Sequence, residues 1–381
     1  MLKKDHPRLI YRISVGSLFF LLGFCFSSWA SRIPTIRQKL DLSDSELGMV
    51  LFALPIGLLL SLLVSGRLIN KFGSKKIVIS AILIYAVILL GIGYSNTTFQ
   101  LASSLFFFGF VGNLVNISVN TQALGVEALY QRSIMASFHG IWSIAGFTGA
   151  AIGTIMTGKN IIPFNHFLLI AAIVFIAVAI NFRFTLAKDF NAKPNQPLVF
   201  KFEKSLINLG LIAFCSMICE GAMFDWSGVY FDKVLKVDKA WIGAGYTAFM
   251  LTMATGRFIA DWFTNKFGLK FTLQLSGILT ASGLLIAVIF PYLITSVIGF
   301  FLVGFGVSSV VPLVYSVAGK SKVLSAGTAL SAVSTIGFLG FLLGPPVIGI
   351  IAGATSLRVS FTLIAFMGLC ITIIASNRKF D

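Results

Sequence analysis

The tetrapeptide Asn70-Lys71-Phe72-Gly73 recurs as Asn265-Lys266-Phe267-Gly268, 195 residues further on, or about half of this 381-residue chain. Other features fall into the same register. Gly48 meets Gly243, Gly109 meets Gly304, and Gly149 meets Gly344. Leu40 and Leu42 meet Leu235 and Val237, and the aromatic Trp29 meets Phe224. Ser43, a side chain suited to capping a helix start, meets Asp238, another of that kind. One four-letter match could be chance. A series at one offset marks an internal repeat.

Composition says what is repeated. Only 11% of residues are charged and 57% are hydrophobic, with a mean hydropathy of +0.94; a soluble domain carries about a quarter charged residues. Apolar segments fall near 13–31, 46–68, 77–95, 99–122, 134–157, 165–184, 206–230, 240–262, 271–290, 292–316, 327–353 and 356–376. Each is near the ~20 residues that a membrane-spanning helix needs. The expected fold is therefore an all-α membrane protein of 12 transmembrane helices in two parallel six-helix repeats. The bundles are 1–184 and 206–381, joined by a basic, polar cytoplasmic linker, 185–205, that holds Pro194 and Pro197.

The net charge of +16 is a topology signal. Twelve spans put both termini and the even-to-odd loops on one side, and that side carries 20 of the 29 Lys and Arg. Basic residues mark the cytoplasmic face, so both termini are expected in the cytoplasm and no nucleic-acid partner is implied. Lys3, Lys4, Arg8 and Arg12 before an apolar run could pass for a secretory leader. The segment has a counterpart in mid-chain, however, and reads as the first span. Cys25, Cys215, Cys219 and Cys370 all lie in apolar segments without a CxxC pair, and read as small buried hydrophobes. No cofactor or metal is expected.

The stretch Gly66-Arg67-Leu68-Ile69-Asn70-Lys71-Phe72-Gly73-Ser74-Lys75-Lys76 resembles the signature loop between helices 2 and 3 of the major facilitator superfamily. An echo, from Gly256-Arg257 through Asp261 to Gly268, follows helix 8. Trp29-Ala30-Ser31-Arg32-Ile33-Pro34, Phe138-His139-Gly140, Glu220 through Trp226, and Gly344-Pro345-Pro346 resemble the bacterial inner-membrane YbjJ-like group. The resemblance spans essentially the whole chain. It implies two halves that rock about a solute site near the bilayer midplane, and it assigns Gly66, Asn70, Lys71 and Gly73 to gating. Two departures stand out. The signature carboxylate is replaced by Asn70, which can cap but carries no charge. Helix 5 has Gly140, Gly146, Gly149 and Gly153 but lacks the proline of the drug-antiporter motif.

Ionisable groups inside spans are expensive and mark function by default. Helix 7 has two, Glu220 near mid-depth and Asp225 about 7.5 Å nearer the periplasm and about 140° round the helix. Glu220 is the expected proton-coupling acid. Asp225 is matched in depth and opposite in charge to Arg32, which suggests a gating pair; independently solvated charges at a helix mouth are the rival reading. Helix 4 carries Asn113, Asn116 and Asn120 on one stripe, with Glu127 at its cytoplasmic end. Amides both donate and accept, which suits a hydroxylated solute; bonding between helices is the rival reading. Asn116 is favoured over Asn120, and Ser308 is the repeat mate of Asn113. His139 and Trp142 share a face of helix 5, where His139 could relay protons or bond an amide. Trp29 and Trp226 complete the expected cavity lining. Arg257 and Asp261, spaced i, i+4, read as a structural pair or gate latch at the cytoplasmic end of helix 8. Gly337, Gly340 and Gly344 should let helix 11 pack closely, and Pro345-Pro346 should kink it.

The residues thus point to a monomeric, multi-pass transporter of the bacterial inner membrane. Its expected partners are a small polar, sugar-like solute and a coupled proton, and it works by alternating access. Drug or metabolite efflux and a non-transporting sensor remain alternatives. His6, His139 and His166 are the only histidines, and neither an HExxH nor a GxSxG motif occurs, so an enzyme is not expected.

Overall fold

The computed structural model describes residues 8–130, 134–187, 204–319 and 326–377. Most of the expected linker, 188–203, lies outside them. Within the described residues the secondary structure is helical, without a strand. The first half holds α1 (Arg8–Ala30), a short α2 (Ile33–Lys39), α3 (Asp44–Phe72), α4 (Ser74–Tyr94), α5 (Thr98–Tyr130), α6 (Met135–Gly158) and α7 (Pro163–Asn181). The second half holds α8 (Lys204–Lys233), α9 (Ala244–Phe267), α10 (Leu269–Ile289), α11 (Leu293–Ser308), α12 (Val310–Gly319), α13 (Ala326–Ala354) and α14 (Leu357–Ser376).

Eleven of the described helical segments are long and apolar enough to cross a membrane. The expected eighth span corresponds to α9, which is 24 residues long but carries Arg257, Asp261 and Lys266 and is not among the eleven. The tenth span is α11 followed by α12, interrupted at Ser309. Pro312 explains the break, because it lacks the N–H that would bond the Ser308 carbonyl one turn back. At Pro345-Pro346, by contrast, α13 runs on as one helix.

The chain divides into two compact units, Met1–Leu40 with Ala53–Asn195, and Asp41–Phe52 with Gln196–Asp381. The start of α3 therefore belongs to the second unit, an assignment the sequence does not foreshadow. Its cap is reciprocal: Glu46 N–H donates to Ser43 Oγ at 3.3 Å, and Ser43 N–H donates to Glu46 Oε2 at 2.9 Å. Ser43 thus caps as expected. Its repeat mate Asp238 makes no side-chain cap bond, and Trp241 N–H bonds the Asp238 carbonyl instead, at 2.8 Å. Near this cap Lys233 is ion-paired with Asp44, and Ser45 Oγ donates to the Gly349 carbonyl at 3.4 Å.

The 195-residue register is visible in the packing inside each unit. A Cβ on Gly109 would overlap the Leu54 carbonyl oxygen, and a Cβ on Gly304 would overlap that of Phe249. Leu54 and Phe249 are themselves 195 residues apart, so both units use one glycine contact to seat equivalent helices. The repeated tetrapeptides also end alike. Gly73 has φ 83° and ψ 146°, and Gly268 has φ 85° and ψ 153°. A side chain is strained there, which is why both halves place glycine between a helix that stops and one that starts.

Candidate substrate and coupling site

In the second unit, four helices bring polar side chains together. Glu220 is the seventeenth of 30 residues in α8, and Arg257 the fourteenth of 24 in α9, so both lie near the middle of their helices. Arg257 is therefore deeper than the sequence reading placed it. Its Nη2 donates to Glu220 Oε1 at 3.4 Å, and the two side chains are 23% and 14% exposed. The expected partner Asp261 has a side chain outside the described residues. Tyr315 of α12 lies beside Ser334 of α13 and close enough to Glu220 to feel its charge.

Close helix packing makes this convergence possible. A Cβ on Gly340 of α13 would overlap the Phe214 carbonyl of α8, and one on Gly337 would press on Ala213 and the Met217 sulfur. Asp225 is half-buried and lies on another face of α8. Trp226 is fully buried, with its indole N–H unpartnered among the described residues. Ser308 stands apart from Glu220. It donates to the Phe305 carbonyl at 2.7 Å and crowds Gly256 at the edge of a largely apolar cleft of about 110 Å³ between α9, α10 and α11. A metabolite pocket usually takes about 300–1,000 Å³, so this cleft is too small to be one.

In the first unit the expected amide stripe divides its labour. Asn113 is buried and donates to the Leu58 carbonyl at 3.4 Å, a tie between α5 and α3. Asn120 donates to the side-chain oxygen of Asn116 at 3.1 Å and to its carbonyl at 2.8 Å. Asn116 is exposed and presents the stripe. His139 is also exposed and stands edge-on to Phe19, with ring centroids 5.5 Å apart. Trp142 is half-buried and packs against Phe26 at 6.4 Å, so this face of α6 looks onto α1. Trp29 is buried.

Arg32 is only 1% exposed. It donates through Nη1 to Thr157 Oγ1 at 2.7 Å and through Nη2 to the Ile161 carbonyl. The guanidinium expected to face Asp225 is thus engaged at the end of α6 within its own unit. His166 is buried nearby, close enough to feel the Arg32 charge, and its ring nitrogens have no hydrogen-bond partner among the described residues. The sequence reading gave it no role.

The signature loop is anchored by residues that sequence alone passes over. Gln122 of α5 donates to Ser74 Oγ at 2.6 Å and to the Leu186 carbonyl at 3.0 Å, and its own oxygen accepts from Leu186 N–H at 2.8 Å. Lys75 donates to the Thr185 carbonyl at 3.2 Å. Glu127, expected as the end of the amide stripe, accepts from the backbone N–H groups of Ile134 and Met135 at 2.7 and 3.0 Å, and so caps the start of α6. Lys71 lies over the Phe72 ring at 5.2 Å, Asn70 is exposed, and Gly66 is half-buried inside α3.

Among the described residues, two compact units and eleven membrane-length helices mark a polytopic membrane protein. The Major Facilitator Superfamily profile matches residues 15–321 and 209–377, and the chain belongs to that superfamily. It is 30% identical over 379 residues to an uncharacterized MFS-type transporter of Yersinia pestis, covering 98% of this chain and 96% of the relative. A cis,cis-muconate transport protein of Acinetobacter baylyi is 23% identical, covering 91% of this chain and 87% of its own. Among solved structures, the nucleoside transporter NupG superposes with a TM-score of 0.77 at 15% identity, over 97% of this chain and all of NupG. That similarity is one of fold.

Proposed function

We propose that this chain is a secondary active transporter that moves a small polar metabolite, sugar-like or related, by alternating access, with Glu220 as the proton-coupling acid. The observation that carries the reading is the Glu220–Arg257 pair, held half-buried at the middle of two helices. Charged groups inside spans are costly and mark solute or proton paths. A carboxylate with one cationic neighbour can exchange its proton as that neighbour is engaged or released. The exposed Asn116 and His139 supply hydrogen-bonding groups on the first unit. Asp225 and Arg32 are kept as gating or coupling candidates, as are Gly66, Asn70, Lys71 and Gly73. The excess of basic residues in the even-to-odd loops supports cytoplasmic termini and a bacterial inner-membrane location, with α9 as the eighth of twelve spans. A monomer is sufficient for this mechanism.

One relative is named for transport of cis,cis-muconate, a dicarboxylate. It favours a second reading in which the polar cargo carries an acid group. The test of transport itself is counterflow. Purified protein is first screened for metabolites that raise its thermal midpoint, since a ligand bound to the folded state stabilises it. The best ligand is then used, labelled, in proteoliposomes preloaded with the unlabelled compound. A transient overshoot of label is expected. Ligand binding without any overshoot would assign the chain to sensing instead.

A further inference from the structure

We propose that Asn120 is a positioning residue that fixes the amide of Asn116 with its two N–H donors outward, and that the transported solute meets those donors with an acceptor oxygen. This rests on the reading of the chain as a transporter of a polar solute and adds the chemistry of the solute group taken there.

The bonds inside α5 carry the inference. The amide of Asn120 lies 2.8 Å from the Asn116 backbone carbonyl and 3.1 Å from the Asn116 side-chain amide. A carbonyl only accepts, so the Asn120 atom that reaches it is the nitrogen. The same nitrogen reaches the Asn116 side chain, and the acceptor of an amide is its oxygen. The turn of both amides is therefore fixed by chemistry. The Asn116 oxygen is taken, and its nitrogen makes no hydrogen bond among the described residues. Bonding back to the carbonyl one turn earlier does little for a helix and slightly weakens it. What this bond fixes is Asn116.

Placement points the same way. Asn116 is the nineteenth of 33 residues in α5 and is exposed. Unbonded N–H groups are expensive in hydrocarbon, so water or a solute must satisfy these two. Asn113, three residues earlier, is buried and spends its amide on the Leu58 carbonyl of α3. Asn113 is thus a tie, Asn120 a brace, and Asn116 the group on display. The fold does not require an amide there, since the equivalent residue of the second half is Val311. Two donors on one nitrogen suit a carbonyl, carboxylate or hydroxyl oxygen and offer nothing to an ammonium group, which only donates.

The first arm of the test needs no solute. Asn116→Cys and Asn113→Cys are treated with methanethiosulfonate ethylsulfonate, which is charged and water-soluble, in right-side-out and inverted vesicles. Cys25, Cys215 and Cys219 are buried. Position 116 should be modified above the parent's background in at least one orientation, and position 113 should not. The second arm is calorimetry on the full chain in detergent. The probes are glucose, myo-inositol, uridine, gluconate and cis,cis-muconate, with cadaverine as a diamine that only donates. At least one oxygen-bearing probe should bind, and cadaverine should not. Asn116→Asp, which turns donors into acceptors, should weaken that probe at least ~10-fold, and Asn116→Ala about 3- to 10-fold. The alanine variant serves if the aspartate one misfolds. Asn120→Ala should weaken it a few-fold in the parent and not at all in the Asn116→Ala background. A merely structural Asn120 would cost the same in both.

The proposal is overturned if position 116 resists modification, if no oxygen-bearing probe binds, if cadaverine binds as well, or if Asn116 variants keep the parent affinity. An Asn120→Ala effect that persists undiminished without Asn116 overturns the positioning role. Binding that depends on Asn116 without counterflow of the same probe would sink the transport reading and leave the amide display standing. Counterflow of a probe whose affinity ignores Asn116 would do the reverse.

Discussion

Arg32 in the first unit and Arg257 in the second are both held away from bulk water, in different ways. In the first unit Arg32 is buried, and its two Nη groups bond neutral oxygens, those of Thr157 and Ile161. In the second, Arg257 faces the Glu220 carboxylate, with Nη2 3.4 Å from Oε1, and its side chain stays 23% exposed. A guanidinium fixed by neutral acceptors has no partner charge that protonation could remove. One paired with an acid has such a partner, and its state changes when the acid takes a proton. The same residue type is thus tied by neutral oxygens in one half and paired with an acid in the other.

The largest effect expected from this contrast is a crossed pattern in two variants. Arg257→Gln should abolish transport, with a thermal midpoint close to that of the parent, because part-exposed ion pairs contribute only about 0–1 kcal/mol. Arg32→Gln should lower stability by about 1–3 kcal/mol, the cost of leaving buried acceptors unmade, while solute affinity is retained. Thermal unfolding and ligand calorimetry on the same samples check both. If the two variants lose stability and binding in parallel, the contrast is wrong.

The repeat is sharpened by a matched pair. Gly109→Ala and Gly304→Ala should each destabilise by about 1–3 kcal/mol, since backbone carbonyls leave an added methyl nowhere to go. Gly344→Ala, whose nearest obstacle is the Ile218 side chain at 3.5 Å, should be near neutral. Unequal costs at 109 and 304 would show that the units are less alike in packing than in sequence. Smaller still, Thr157→Val should cost about 1 kcal/mol through one lost acceptor. Asp44→Asn should cost less than about 1 kcal/mol, because its partner Lys233 is 46% exposed.

The repeat and the glycine at its two equivalent helix junctions were legible in the sequence because each depends on a residue type at a fixed register. Gly73 and Gly268 are needed where φ is positive, and Gly109 and Gly304 where backbones touch. Mid-span charge singled out Glu220 for a similar reason, since hydrocarbon penalises it wherever the helix packs. What the sequence hid were partners. Spacing along one helix pointed Arg257 to Asp261, whose side chain lies outside the described residues, and gave no sign of Glu220, which helix packing brings to it from 37 positions away. Nothing local marks Tyr315 as a neighbour of that acid, or Gln122 as the anchor of Ser74 and Leu186. Asp41–Phe52 belongs with the second unit through packing alone, although in sequence it sits inside the first.

The most direct measurement is the steady-state accumulation ratio of the labelled solute in proteoliposomes under an imposed proton gradient, compared between the parent protein and Glu220→Gln. The parent should concentrate the solute above the medium, and the variant should bring it only to equilibrium while still catalysing counterflow. A Glu220→Gln protein that concentrates solute against its gradient as the parent does would contradict the account.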